Sequence, residues 1–62
     1  MDYYERKRQA IETIDKMLRE GKTKAEIAFK LSTAYGFGIS VYNKRLKEIE
    51  DLREQMSNEV PK

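Results

Sequence analysis

Ser40, Asn43, Lys44 and Lys47 recur at intervals of three and four residues, the spacing that gathers side chains on one side of an α-helix. A hydroxyl, a carboxamide and two ammonium groups on one strip of surface form a set of hydrogen-bond donors with net positive charge. That is the chemistry of holding a polar, anionic partner. The charge distribution points the same way. Residues 22–47 hold Lys22, Lys24, Lys30, Lys44, Arg45 and Lys47 against Glu26 alone, a local excess of +5, whereas residues 1–21 sum to zero and residues 48–62 to −3. A basic centre between neutral and acidic arms suits a localised polyanion contact. The plainer alternative is a solvated surface with uneven charge.

Covalent and metal chemistry finds little to work with. The chain has neither cysteine nor histidine, which removes disulfides, Cys-based zinc sites and the commonest general base. Its serines and threonines therefore lack a histidine partner for nucleophilic attack. Gly21-Lys22-Thr23 resembles the end of a phosphate-binding loop, but the position five residues before Gly21, where that loop needs glycine, is Lys16 and no strand precedes it. Glu48, Glu50, Asp51 and Glu54 are spread around a helix with no loop to fold them over a cation, and read as a solvated face. No enzymatic activity, catalytic residue, cofactor, small-molecule substrate or metal is expected. The apolar runs are too short for a membrane span or signal peptide, which makes an intracellular, cytoplasmic location the default.

The elements that must position the polar strip are helices. Residues 1–62 form one domain with one modest core, burying only about 60% of the surface of its unfolded chain. Tyr3, Tyr4, Ala10, Ile11, Ile14, Met17 and Leu18 make one face of a helix over about 3–19, and Gly21 fits the left-handed position that closes it. Thr23-Lys24-Ala25-Glu26 reads as a capping box opening a second helix, 24–35, with Ile27, Ala28, Leu31, Ala34 and Tyr35 inward. Gly36 and Gly38 break that helix around Phe37. A third helix, 39–57, turns Ile39, Tyr42, Leu46, Ile49 and Met56 to the core and leaves Ser40, Lys44, Lys47 and Asp51 opposite, with Asn43 beside them. Residues 58–62, with Pro61, read as a frayed tail. The expected class is all-α.

Residues 23–47 carry a more specific pattern. Thr23, Glu26, Ile27, Ala28 and Leu31, then Tyr35-Gly36-Phe37, then Val41, Tyr42 and Leu46 resemble the helix-turn-helix of homeodomain-like prokaryotic and phage DNA-binding domains. Small transcriptional regulators and the small subunits of phage terminases look similar in this stretch. The resemblance implies a three-helix domain whose long C-terminal helix is the recognition helix, with double-stranded DNA as partner. It places Ser40, Asn43, Lys44 and Lys47 at bases or in the groove. Lys22, Thr23, Lys24 and Lys30 fall at phosphates, together with Arg45, which equally suits pairing with a neighbouring acid. Gly38 departs from the pattern's capping serine, and no arginine occupies the first exposed turn, so base selectivity should be modest. The setting implied is the cytoplasm of a prokaryotic or virus-infected cell.

A rival use of the same helices is protein binding. Phe29 projects away from the second helix's inward stripe, and Leu52 and Met56 continue the third helix's apolar side beyond the motif. Those two either cover the first helix or form a seam for self-association, which leaves a homo-oligomer open. The helical spacing of Tyr3, Tyr4, Tyr35 and Tyr42 favours core or core-edge packing over base stacking.

Overall fold

A computed structural model describes residues 2–59, with side chains described through Met56. It comprises α1 (Tyr3–Arg19), α2 (Lys24–Lys30), a π-helical turn (Leu31–Tyr35) continuing α2, and α3 (Ile39–Glu59). Among the described residues there is no strand. The Asp2 carboxylate caps α1 by accepting the Glu5 amide at 2.8 Å. Gly21, at φ 76°, closes it: the Lys22 amide donates to the Met17 carbonyl at 3.0 Å and the Gly21 amide to that of Leu18 at 3.1 Å. This paired closure satisfies two orphan carbonyls and reverses the chain. Thr23 Oγ1 then accepts the Glu26 amide at 3.2 Å and opens α2. Among the described residues the reciprocal bond expected from the Thr23 amide to the Glu26 carboxylate is not made, and Glu26 stays exposed.

The second helix departs from an unbroken α-helix over 24–35. From Leu31 it widens into π geometry, and its closure widens with it. The Phe37 amide donates to the Leu31 carbonyl and the Gly36 amide to that of Ser32, both at 3.1 Å, each spanning one residue more than its counterpart after α1. Wider winding rotates Ala34 outward, so Ala34, expected inside, is exposed, while Tyr35 stays on the side of the buried Leu31. Tyr35 is thereby aimed at α1, where its hydroxyl meets Thr13 Oγ1 at 2.7 Å. Gly36, at φ 73°, makes the turn.

Ala10 and Ile14 of α1, Ile27 and Leu31 of the second helix, and Tyr42 of α3 form the buried core, and Met17, Leu18, Tyr35, Phe37, Val41 and Leu46 close around it. α1 and α3 run in the same sense: Tyr3 meets Phe37, just before α3, at a ring separation of 5.9 Å, and Asp15 meets Arg45 further along both. Several expectations change at the margins. Tyr4 is 82% exposed, because it lies at the edge of the apolar face in the first turn of α1. Ile39, expected on the core side, is exposed at the first residue of α3. α3 reaches Glu59, past its expected end, so residues 58 and 59 are helix rather than tail; 60–62 lie outside the described residues. α1 ends beside Ile49 and Arg53, so Met56, expected inside, is 68% exposed and Leu52 is 51% exposed, and neither covers α1. Among the described residues no helix is long and apolar enough to cross a membrane.

One substitution separates the two glycines of the turn. An added side chain meets nothing within 4 Å at either position, but only Gly36 has positive φ. Gly36→Ser should cost about 1–2 kcal/mol through backbone strain alone. Gly38→Ser, at the start of α3, should gain about 0.5 kcal/mol by supplying a capping oxygen and restricting the unfolded chain. Urea unfolding of both variants checks the opposite signs; equal effects would contradict the described turn.

Candidate functional site

Tyr42 is buried and Val41, Arg45, Leu46 and Ile49 are half-buried, which fixes α3's rotation about its axis. The opposite side is therefore free: Ser40, Asn43, Lys44 and Lys47 are all exposed, and the first turn holds no acidic residue. Gly38 has no side chain to cap that turn, and the Val41 amide reaches only the Gly38 carbonyl at 3.3 Å. The first half of α3 thus presents hydroxyl, carboxamide and two ammonium groups on one continuous strip.

Lys22, Thr23, Lys24 and Lys30 are exposed as well, on α2 and the turn before it. Their local bonding narrows what they can offer. The Lys22 amide is taken by Met17, and Thr23 Oγ1 is occupied by the Glu26 amide. This corner supplies ammonium charge together with those first-turn amides of α2 left unpaired among the described residues.

Of the two uses open to Arg45, phosphate contact and pairing with an acid, it makes the second. Its Nε and Nη2 donate to the two Asp15 carboxylate oxygens at 2.9 and 2.8 Å, a two-bond clamp from α3 to α1, and Nη1 lies 3.5 Å from Glu48. Its partner is thus an acid 30 residues away, with the nearby Glu48 second. The hydrogen bond to Asp15 raises the Arg45 pKa above its ordinary value; partial desolvation opposes this, and the charge of Asp15 and then Glu48 reinforces it. Sequence alone could not choose Asp15 from α1's several acids, since that choice depends on how the two helices cross.

Between the amino-terminal halves of α1 and α3 lies an open cleft of about 210 Å³, bordered by Tyr3, Lys7 and Ile11 on one side and Ser40, Val41 and Lys44 on the other. It joins two of the expected contact residues to Lys7, which was hidden in a segment of zero net charge. The only signal for Lys7 was its place four residues after Tyr3, on the same side of α1. The Lys7 ammonium lies 5.8 Å from the Tyr3 ring centre, and the Arg6 guanidinium lies 5.2 Å from that of Phe37. Arg6 Nε is buried without a hydrogen-bond partner, so its contact with Phe37 is the attraction that offsets its burial. Phe29 is 70% exposed and is packed beneath neither α1 nor a turn. Among the described residues no three acidic side chains converge as a cation site. No known protein family, curated protein or solved structure matches the chain.

The Asp15–Arg45 clamp is about a quarter open to solvent, its side chains 22% and 28% exposed, so its coupling should be modest. A double-mutant cycle with Asp15→Ala and Arg45→Ala should return about 0.5–1 kcal/mol in unfolding free energy. Arg45→Lys should recover only part of it, because an ammonium cannot engage both oxygens in parallel. Zero coupling would mean the clamp contributes nothing to holding α1 against α3.

Proposed function

We propose that this chain binds double-stranded DNA, with α2, the glycine turn and α3 acting as a homeodomain-like helix-turn-helix. The observation that carries this reading is the exposed strip Ser40, Asn43, Lys44 and Lys47 on the half of α3 whose other side is anchored by Tyr42. An α-helix with its side chains is about 10–12 Å across, which suits a major groove about 12 Å wide. Asn43 can make two bonds to adenine; Lys44 and Lys47 can reach guanine or phosphate, and Ser40 either. Lys22, Lys24 and Lys30 hold phosphates, with Thr23 beside them, while Arg45 stays with Asp15. Such a protein would serve in the cytoplasm as a small transcriptional regulator, or as the DNA-recognition part of a phage or mobile-element packaging protein. A single domain of this size buries under about 1,000 Å² on DNA, so useful affinity calls for a dimer or larger assembly.

A second reading is supported by the exposure of Phe29, Leu52 and Met56: a helical module that docks another protein. The two readings separate in a titration of labelled duplex at several salt concentrations. If Lys22, Lys24, Lys30, Lys44 and Lys47 each neutralise a phosphate, the slope of log K against log salt should be about −4.5. Lys44→Ala with Lys47→Ala should make it shallower by about 2 and weaken binding. Weak, salt-insensitive binding, or a double variant indistinguishable from the parent, would overturn the DNA reading. Partner capture abolished by Phe29→Ser and untouched by the lysine changes would favour protein docking.

A further inference from the structure

We propose that Lys7 holds a phosphate of the bound duplex from α1, across the cleft from Lys44. This inference rests on the DNA reading above and extends it to an element that reading does not use. The cleft is continuous with the recognition strip, because Ser40 and Lys44 belong to both. A helix lying in a major groove has a sugar–phosphate strand along each border, and contacts to those strands set its register. The cations so far assigned to phosphate alone sit on α2 and the turn before it; Lys7 brings one from α1, the other helix packed against α3.

The charges around the cleft fit an anion. Glu48 also borders it, but the Arg45 guanidinium holds that carboxylate at 3.5 Å and is itself clamped by Asp15. Among the described residues neither Lys7 nor Lys44 forms an ion pair with a carboxylate. Three cations, Lys7, Lys44 and Arg45, thus border the opening against one acid, Glu48, and neither ammonium is paired with it, an arrangement that a phosphate between the two lysines relieves. Lys7 is half-buried along its stem, and the negative face of the Tyr3 ring near its ammonium restrains the charged end without neutralising it. The cleft's roughly 210 Å³ is many times the space one water needs, about 15 Å³, so it admits a phosphate with part of its hydration.

The test is anisotropy titration of labelled duplexes of several sequences, over a range of salt, with the parent, Lys7→Gln, Lys7→Arg and Lys16→Gln. Lys16 is an exposed lysine on α1 away from the cleft and controls for net charge. Lys7→Gln should weaken binding equally for every sequence and make the salt slope shallower by about 0.9, one phosphate contact. Lys7→Arg should keep the parental slope, and Lys16→Gln should leave it unchanged. Thermal unfolding of Lys7→Gln should match the parent, which separates contact from folding. A parent that binds with a steep slope while Lys7→Gln keeps that slope overturns this inference and leaves the DNA reading standing, as does an equal loss in Lys16→Gln. A parent with no salt-dependent binding overturns both.

Discussion

What this chain presents to solvent depends on the rotational setting of α3, and that setting depends on burying Tyr42. Successive helical residues are separated by about 100°, so a shift of one residue would send Asn43 inward and Tyr42 out. Tyr42 enters the core against Ile27, Leu31 and Ile14, with Val41 and Leu46 closing beside it. Those contacts fall in the first half of α3 alone. From Asp51 through Met56 every described side chain is exposed, so the helix is held at one end and projects from the body at the other. The polar strip lies on the held half, where packing gives it a defined orientation. Side chains on the projecting half have no such reference.

Two kinds of force share the positioning. Burying a large apolar side chain is worth about 1.5–3 kcal/mol, and α3 contributes Tyr42, 7% exposed, to the core formed with the fully buried Ile14, Ile27 and Leu31. A partly exposed ion pair is worth about 1 kcal/mol or less. The core therefore attaches α3, and the Asp15–Arg45 clamp refines how it lies against α1. The clamp's geometry matters more than its energy: two bonds between a planar guanidinium and a carboxylate restrict both twist and slide. The π turn has a similar part. It costs α2 its regular winding, and it aims Tyr35 at Thr13 while still burying Leu31.

Local chemistry made much of this fold legible. Gly21, Gly36 and the Thr23–Glu26 spacing each act within a few residues, and each marks a boundary where the chain has one. The apolar spacing identified Ile14, Ile27, Leu31 and Tyr42 because periodicity reports which side of a helix faces inward. It cannot report where a neighbouring helix stops, which is why Met56 reads as core and stands in solvent. Nor does it foresee a change of winding, so Ala34 falls on the inward stripe by spacing and faces solvent in the fold. The candidate strip was legible for the same reason as the core, being its complement on α3. The cleft was not, since it exists only once two helices distant in sequence lie side by side.

Charge shows the limit most clearly, because a segment is not a surface. The excess of +5 over residues 22–47 includes Arg45, whose charge is spent on Asp15 from the segment that sums to zero. Lys44 makes no ion pair with Glu48, the acid one helical turn beyond it, whose carboxylate lies 3.5 Å from Arg45 instead. Lys7 enters from the neutral segment, its charge cancelled in the sum but unpaired by any described carboxylate. Electrostatic attraction over a Debye length of about 10 Å responds to charges sharing a face, whatever their order in the chain. The basic face here is accordingly assembled by the α1–α3 contact: the clamp withdraws one cation into the structure, and the same contact brings another to the edge of the strip.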